Sequence, residues 1–232
     1  GLVASDGTYN AGVTLVSRDG SDFTIGTNTG NNLENVGIEI GKYSGSNSGV
    51  AGGSVGATAL NSGDLVINGT AVGGTYESFD TASTTGKDSS AISVAKAVNL
   101  VSDATGVTAE VNATVANATI GAADTAGSLT INNVDISFAA GTTGTTSEQV
   151  GLAVDAINNK TAQTGVRAEA VDEDNYILIA DDGRNIDITN STDSGTSDGT
   201  ERGSVTLLSG GPIEISTDTT DGPTNAGFTV GS

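Results

Sequence analysis

Cysteine, histidine, methionine and tryptophan are all missing from this chain of 232 residues. Without cysteine there is no disulfide, no zinc–thiolate site and no thiol nucleophile. That absence also suits a protein exposed outside the cell. Aromatics make up only 3% and there are only two prolines. A core must therefore be built from Val, Ile, Leu and Ala, and the turns from Gly, Asn and Asp. Basic residues number 8 against 28 acids, a formal net charge of −20. A nucleic-acid binder needs a basic face to meet phosphates, so that class is excluded. An anionic membrane surface is disfavoured on the same ground. No apolar run approaches the length of a membrane span, and no secretory signal is visible. The chain opens at Gly1 without methionine, so a fragment of a longer protein is expected.

What is present in quantity is glycine, 34 residues, and internal similarity. "DLVINGTAVGG" (Asp64 to Gly74) is matched by "SLTINNVDISF" (Ser128 to Phe138). Leu65 aligns with Leu129, Ile67 with Ile131, Asn68 with Asn132, and Val72 with Ile136. Each stretch predicts a β-hairpin. Asn68-Gly69 is a strong two-residue turn signal, because both positions tolerate positive φ, and Asn132-Asn133 is a weaker version.

The similarity continues in "SAISVAKAVNLVSDATGVTAEV" (Ser90 to Val111) and "QVGLAVDAINNKTAQTGVRAEA" (Gln149 to Ala170). Ala91, Val94, Ala95, Val98 and Val101 follow helical spacing, as do Val150, Ala153, Val154 and Ile157. Asp88 or Ser89 is expected to cap the first helix. Thr145 and Glu148 fit a capping box for the second. Gly106 and Gly165 mark exits into strands. Asn99 aligns with Asn158, and the connection between hairpin and helix is shorter in the second copy, which places it in a surface loop.

Three further stretches predict hairpins around Asp-Gly or Gly-Gly: Val13 to Gly26, Tyr176 to Thr189, and Val205 to Ser216. The first copy has no closing hairpin directly after Val111, and its natural closure is "VTLLSGGPIEIS" (Val205 to Ser216). The second unit is therefore expected to be inserted into the first. Gly- and Ser-rich stretches at 44–56 and 191–203 are expected loops. The fold class expected is α+β and β-rich, with repeated hairpin–helix–strand–hairpin subdomains. The expected division is a β-rich segment at 1–60, a first subdomain at 61–115 plus 200–232, and a second, inserted subdomain at 116–199.

The pattern "LVINGTAV…SAISVAKAVN…TGVTAEV" resembles the IN motif of the outer domains of bacterial flagellins. It is also similar to segments of hook-associated and filament-cap proteins. "GSVTLLSGGPIEI" followed by "NAGFTVG" looks like the closing segment of such regions. The resemblance covers about Asp64 to Gly231, and more loosely Gly7 to Gly41. It implies an extracellular, non-enzymatic structural component of the flagellar filament. Its partners would be other flagellin subunits, and its segment 1–60 would belong to an inner outer-domain. Flagellins carry long helical termini that build the filament core, and nothing here looks like them. The chain is thus expected to be the surface-exposed middle, monomeric in isolation.

Gly52-Gly53-Ser54-Val55-Gly56 satisfies G-x-S-x-G, but a nucleophile elbow needs a histidine base, and a flexible loop is the plainer reading. Ser93-x-x-Lys96 lacks its partner K-T-G motif and lies on a predicted helix surface. No glycine pair has the G-x-G spacing of a dinucleotide site. Asp172, Glu173, Asp174, Asp181 and Asp182 are candidate paired carboxylates for glycoside chemistry. Yet Asp181-Asp182-Gly183 reads as a turn, and aromatics to stack a sugar are nearly absent. Asp193, Asp198 and Glu201 are candidate calcium ligands without EF-hand spacing, so a solvated acidic loop is expected. Five N-x-[ST] sequons occur, at Asn68, Asn112, Asn117, Asn159 and Asn190. No catalytic, cofactor or metal site is expected. The alternatives kept are a carbohydrate- or surface-binding adhesin module, calcium-assisted or not, and a hook-associated or cap protein.

Overall fold

A computed structural model describes residues 23–25, 41–43, 48–220 and 222–231. In chain order the elements are β1 (Phe23–Ile25), β2 (Gly41–Tyr43), β3 (Ser48–Ser54), β4 (Val66–Ile67), β5 (Thr70–Ala71), α1 (Ala91–Asn99), α2 (Ser102–Thr105) and β6 (Val107–Val111). Then come β7 (Thr114–Thr119), β8 (Gly127–Ile131), β9 (Val134–Phe138), α3 (Thr146–Asn158), α4 (Thr161–Thr164), β10 (Arg167–Ala170) and β11 (Asn175–Ala180). The last are β12 (Ile186–Thr192), β13 (Gly199–Glu201), β14 (Ser204–Ser209) and β15 (Ile215–Ser216). The fold is mixed α/β and strand-rich, with several small antiparallel sheets.

Two hydrophobic cores form. The first joins Leu65, Ile67, Val94, Val98, Val107, Leu207 and Ile215. The second joins Leu129, Ile131, Val150, Ile157, Val166, Leu178 and Ile188. Each such side chain contributes about 1.5–3 kcal/mol on burial, so many small aliphatics replace the missing aromatics. Tyr176 is the exception. It is fully buried in the second core and its hydroxyl donates to the Ser194 carbonyl.

The first core carries the sheets β3-β14-β6 and β15-β4-β5. The second carries β10-β11-β7 and β13-β12-β8-β9. Both predicted turns have positive φ at each central residue: 50° and 77° at Asn68-Gly69, 49° and 66° at Asn132-Asn133. The helices bury the predicted stripe. Ala91, Val94, Ala95 and Val98 face the first core, and Val150, Ala153 and Ile157 the second. Val101 lies beyond α1, in the link to α2. Gly106 and Gly165 end α2 and α4 at φ 70° and 71°, a left-handed conformation that costs glycine nothing.

Several expectations are corrected. Tyr176–Thr189 is not a hairpin: β11 pairs with β10 and β7, whereas β12 pairs with β13 and β8. The Asp181–Gly183 turn passes the chain from one sheet to another. Val205–Ser216 does likewise, β14 pairing with β3 and β6 and β15 with β4. The hairpin expected at Val13–Gly26 lies largely outside the described residues; its one described strand, β1, pairs with β2, beyond that stretch. The Gly/Ser-rich stretch 44–56 contains a strand, β3. Its glycines admit close neighbours, since a Cβ on Gly52 would sit 2.9 Å from the Phe228 ring and Gly53 N–H donates to the Gly227 carbonyl at 2.8 Å. Strand structure also enters 191–203, through the end of β12 and through β13. The cap of α1 is Ser90, whose Oγ accepts from Ser93 N–H at 3.2 Å, rather than Asp88 or Ser89.

All strands of the first core lie outside 112–203. Replacing 113–202 with a short Gly/Ser linker should therefore leave that core folded, with a dispersed proton–nitrogen NMR spectrum. A collapsed, disordered spectrum would refute this assignment of strands to cores.

Candidate functional site: asparagine staples and a polar seam

The side chains that organise both cores are asparagines. Asn68 N–H donates to the Glu214 carbonyl at 3.0 Å, its Oδ1 accepts from Glu214 N–H at 2.8 Å, and its Nδ2 donates to the Thr105 carbonyl at 2.9 Å. Asn132 makes the same three bonds. Its N–H donates to the Asp187 carbonyl at 2.9 Å, Oδ1 accepts from Asp187 N–H at 3.0 Å, and Nδ2 donates to the Thr164 carbonyl at 2.8 Å. One turn residue thus ties a hairpin, the end of a short helix and the incoming strand. Glycine would accept the turn but supply none of the side-chain bonds.

A second pair acts at the sheet edge. Asn99 donates to the Ala109 carbonyl at 2.9 Å and accepts from its N–H at 2.8 Å. Asn158 does the same to Ala168, at 3.0 and 2.8 Å. Each amide imitates a neighbouring strand, and so satisfies the free edge of β6 or β10. Thr105 and Thr164 complete the set, their Oγ1 atoms accepting from Val107 and Val166 N–H.

Between the cores runs a polar seam. Asn185 N–H donates to Ser83 Oγ, and its Nδ2 to the carbonyls of Thr85 and Gly86. Thr84 Oγ1 donates to Asn132 Oδ1, Thr85 Oγ1 to Asp187, and Arg202 Nε to the Ser89 carbonyl. Asp80 anchors this loop by accepting from Ala82 and Ser83 N–H. Burial pushes its carboxyl up, but the hydrogen bonds from Ser83, Ser90 and Ala82 outweigh that and hold it below the usual range. The seam has no apolar continuity, because the two hydrophobic clusters are separate.

The candidate chemical residues are not brought together. Ser93 is buried and its Oγ donates to the Lys87 carbonyl at 2.5 Å, whereas Lys96 is exposed. Gly52–Ser54 lie in β3. Asp172 and Asp174 sit at one end of β11, and Asp181 and Asp182 at the other. At about 3.3 Å per residue that is roughly 20 Å, well beyond the separation of about 5–9.5 Å used by glycosidase carboxylates. Asp172 is held below the usual range by the Asp174 N–H and Asn175, and Asp181 by its ion pair with Arg167 at 2.8 Å. A general acid needs the opposite shift. Asp182 is paired with Arg184 at 2.7 Å, and Glu173 is exposed. Asp198 accepts from Ser191 N–H at 2.8 Å, closing the 191–198 loop. Asp193 occupies a positive-φ position and Glu201 lies in β13. Among the described residues, no group of three or more His, Cys, Asp or Glu could hold a metal ion.

The box expected at α3 is half formed. Thr145 Oγ1 accepts from Glu148 N–H at 3.4 Å. The Glu148 carboxylate reaches further back and accepts from the Thr142 and Thr143 N–H groups at 2.7 and 2.8 Å. The Thr143 hydroxyl, then those N–H groups, hold its pKa down at about 2. The chain matches no family model and no curated protein.

Asn132 is buried while Asn68 is exposed. Asn132→Gly keeps the turn but leaves the Asp187 N–H unpaired, at about 1–3 kcal/mol, and leaves the Thr164 carbonyl only its longer bond from Arg184 Nη1 at 3.4 Å. It should destabilise the second core by about 1–3 kcal/mol in urea melts, and Asn68→Gly should cost the first core less. Equal, negligible losses would refute the staple. Glu148, with a depressed pKa, stabilises above its unfolded value of 4.5 and loses that contribution as pH falls toward about 2. Melting temperature should fall across that window, and Glu148→Gln should flatten the fall.

Proposed function

We propose that this chain is the solvent-facing middle of a bacterial flagellin, an architectural part of the flagellar filament and not an enzyme. What supports the reading is an order of elements that we take as one unit used twice. A strand, an Asn-turned hairpin, a helix, a short helix ending in glycine and further strands follow in the same order in both parts, three strands in the first and four in the second, with matching asparagine side-chain bonds. We take residues 48–111 with 204–231 as one copy and 113–203 as a second copy inserted into it. The IN-like residues Leu65, Ile67, Asn68 and Val72, and their counterparts Leu129, Ile131, Asn132 and Ile136, are the core and staple positions of this unit.

Function then follows from packing and charge. Each unit is small, closed on itself and stapled at its sheet edges. The excess of 28 acids over 8 bases keeps neighbouring protrusions hydrated and apart. The partners are other flagellin subunits, joined through segments outside this chain, and the setting is extracellular.

Immunogold labelling with antibody raised against this chain, on cells that make the parent protein, should decorate flagellar filaments along their whole length. Label confined to the filament tip or the hook junction would reassign the chain to a cap or hook-associated protein. Label on the cell body alone would favour an adhesin.

A further inference from the structure

The first copy carries the second at one defined junction. Antiparallel neighbours β6 and β14 are joined by residues 112–203, whereas β10 and β11 are joined by only 171–174. The two junctions are framed alike. Asn112 N–H donates to the Ser204 carbonyl at 2.9 Å, and Val171 N–H to the Asn175 carbonyl at 2.9 Å. Val55 N–H donates to the Gly203 carbonyl at 2.9 Å, and Ile120 N–H to the Asp174 carbonyl at 2.8 Å.

The docking loop recurs as well. In the first copy Thr84-Thr85-Gly86 meets the inserted unit through two hydroxyls and two carbonyls. In the second copy Thr142-Thr143-Gly144 also precedes the helix, α3, and is exposed; its hydroxyls donate to the Glu148 carboxylate at 3.3 and 2.7 Å and the Gly144 N–H to Asp124 at 3.1 Å, bonds that a docking unit would exchange. Gly86 and Gly144 share positive φ, 60° and 73°. Residues 171–174 are all exposed, Val171 at 60%.

We propose that the β10–β11 turn and the Thr142-Thr143-Gly144 loop together form a second acceptor port, able to carry a further folded domain of the same type. The occupant this port fits is a unit whose ends stand one strand spacing apart, about 5 Å. It would also carry an asparagine just before its closing strand, as Asn185 precedes β12. The end of the first copy does not qualify, because Pro212 stands where Asn185 would be and has no N–H to donate. Chain closure is no obstacle, since its entropy rises only slowly with length and a folded insert brings its own ends together. The inference rests on the duplicated-unit reading, but not on the flagellar assignment.

The test inserts a copy of residues 113–202 between Asp172 and Glu173 of the full chain. The host should keep its NMR spectrum and melt within about 5 °C of the parent. The Thr142, Thr143 and Gly144 amides should shift as the insert docks. The same insertion between Asn132 and Asn133 should unfold the second core, because it cuts a staple. Loss of the host spectrum with the insert at 172/173 would overturn the port. A folded insert that leaves the 142–144 amides unshifted would overturn the docking loop. Either failure would leave the filament-labelling result untouched.

Discussion

Small sheets have too many edges. Each sheet of either core has only three or four strands, so unpaired N–H and C=O groups would be plentiful, and an open edge invites aggregation. The asparagine side chain resolves this. Its carbonyl oxygen and one N–H of its NH2 group can face a strand as a backbone C=O and N–H do. At Asn99 and Asn158 it imitates a neighbouring strand, and at Asn68 and Asn132 it joins three segments from within a turn. The rest of the unit depends on those bonds, because the hairpin strands β4 and β5 are only two residues each.

The second constraint is charge. The chain carries 28 acids against 8 bases, and its two hydrophobic cores are separate. The seam joins them with hydroxyls, carbonyls and amides, together with Arg202. Two of the scarce arginines, Arg167 and Arg184, pair with Asp181 and Asp182 beside that seam or on the neighbouring sheet. Asp172 and Asp181, which looked like candidate chemistry, are spent on a turn and a local ion pair, and those bonds lower their pKa values.

Local features were legible in the sequence. The two helices follow from apolar spacing, the two hairpins from their Asn turns, and the helix exits from glycine. Non-local features were not. The Asp181–Gly183 and Gly210–Gly211 turns look like hairpin turns, yet the chain changes sheets there, and no local signal tells the two outcomes apart. Strand β3 was hidden because its glycines have low strand propensity and are there for the close approach of Phe228 and Gly227. Asn99 and Asn158 could be aligned, but their bonds to Ala109 and Ala168 depend on where the chain goes ten residues on. Thr-Thr-Gly precedes each helix, but only Thr84-Thr85-Gly86 enters the seam, while Thr142-Thr143-Gly144 bonds to Glu148 and Asp124.

Native-state hydrogen exchange in mild urea tests the central claim, a stapled unit carrying a second one within it, most directly. Amides that open together belong to one folding unit. The account predicts that Leu207, in β14, exchanges with Val107 and Ala109, and that Leu178, in β11, exchanges with Ala168 and Ile188, on a separate isotherm. Exchange of Leu207 on the isotherm of Leu178, with Val107 and Ala109 opening apart from it, would contradict the account.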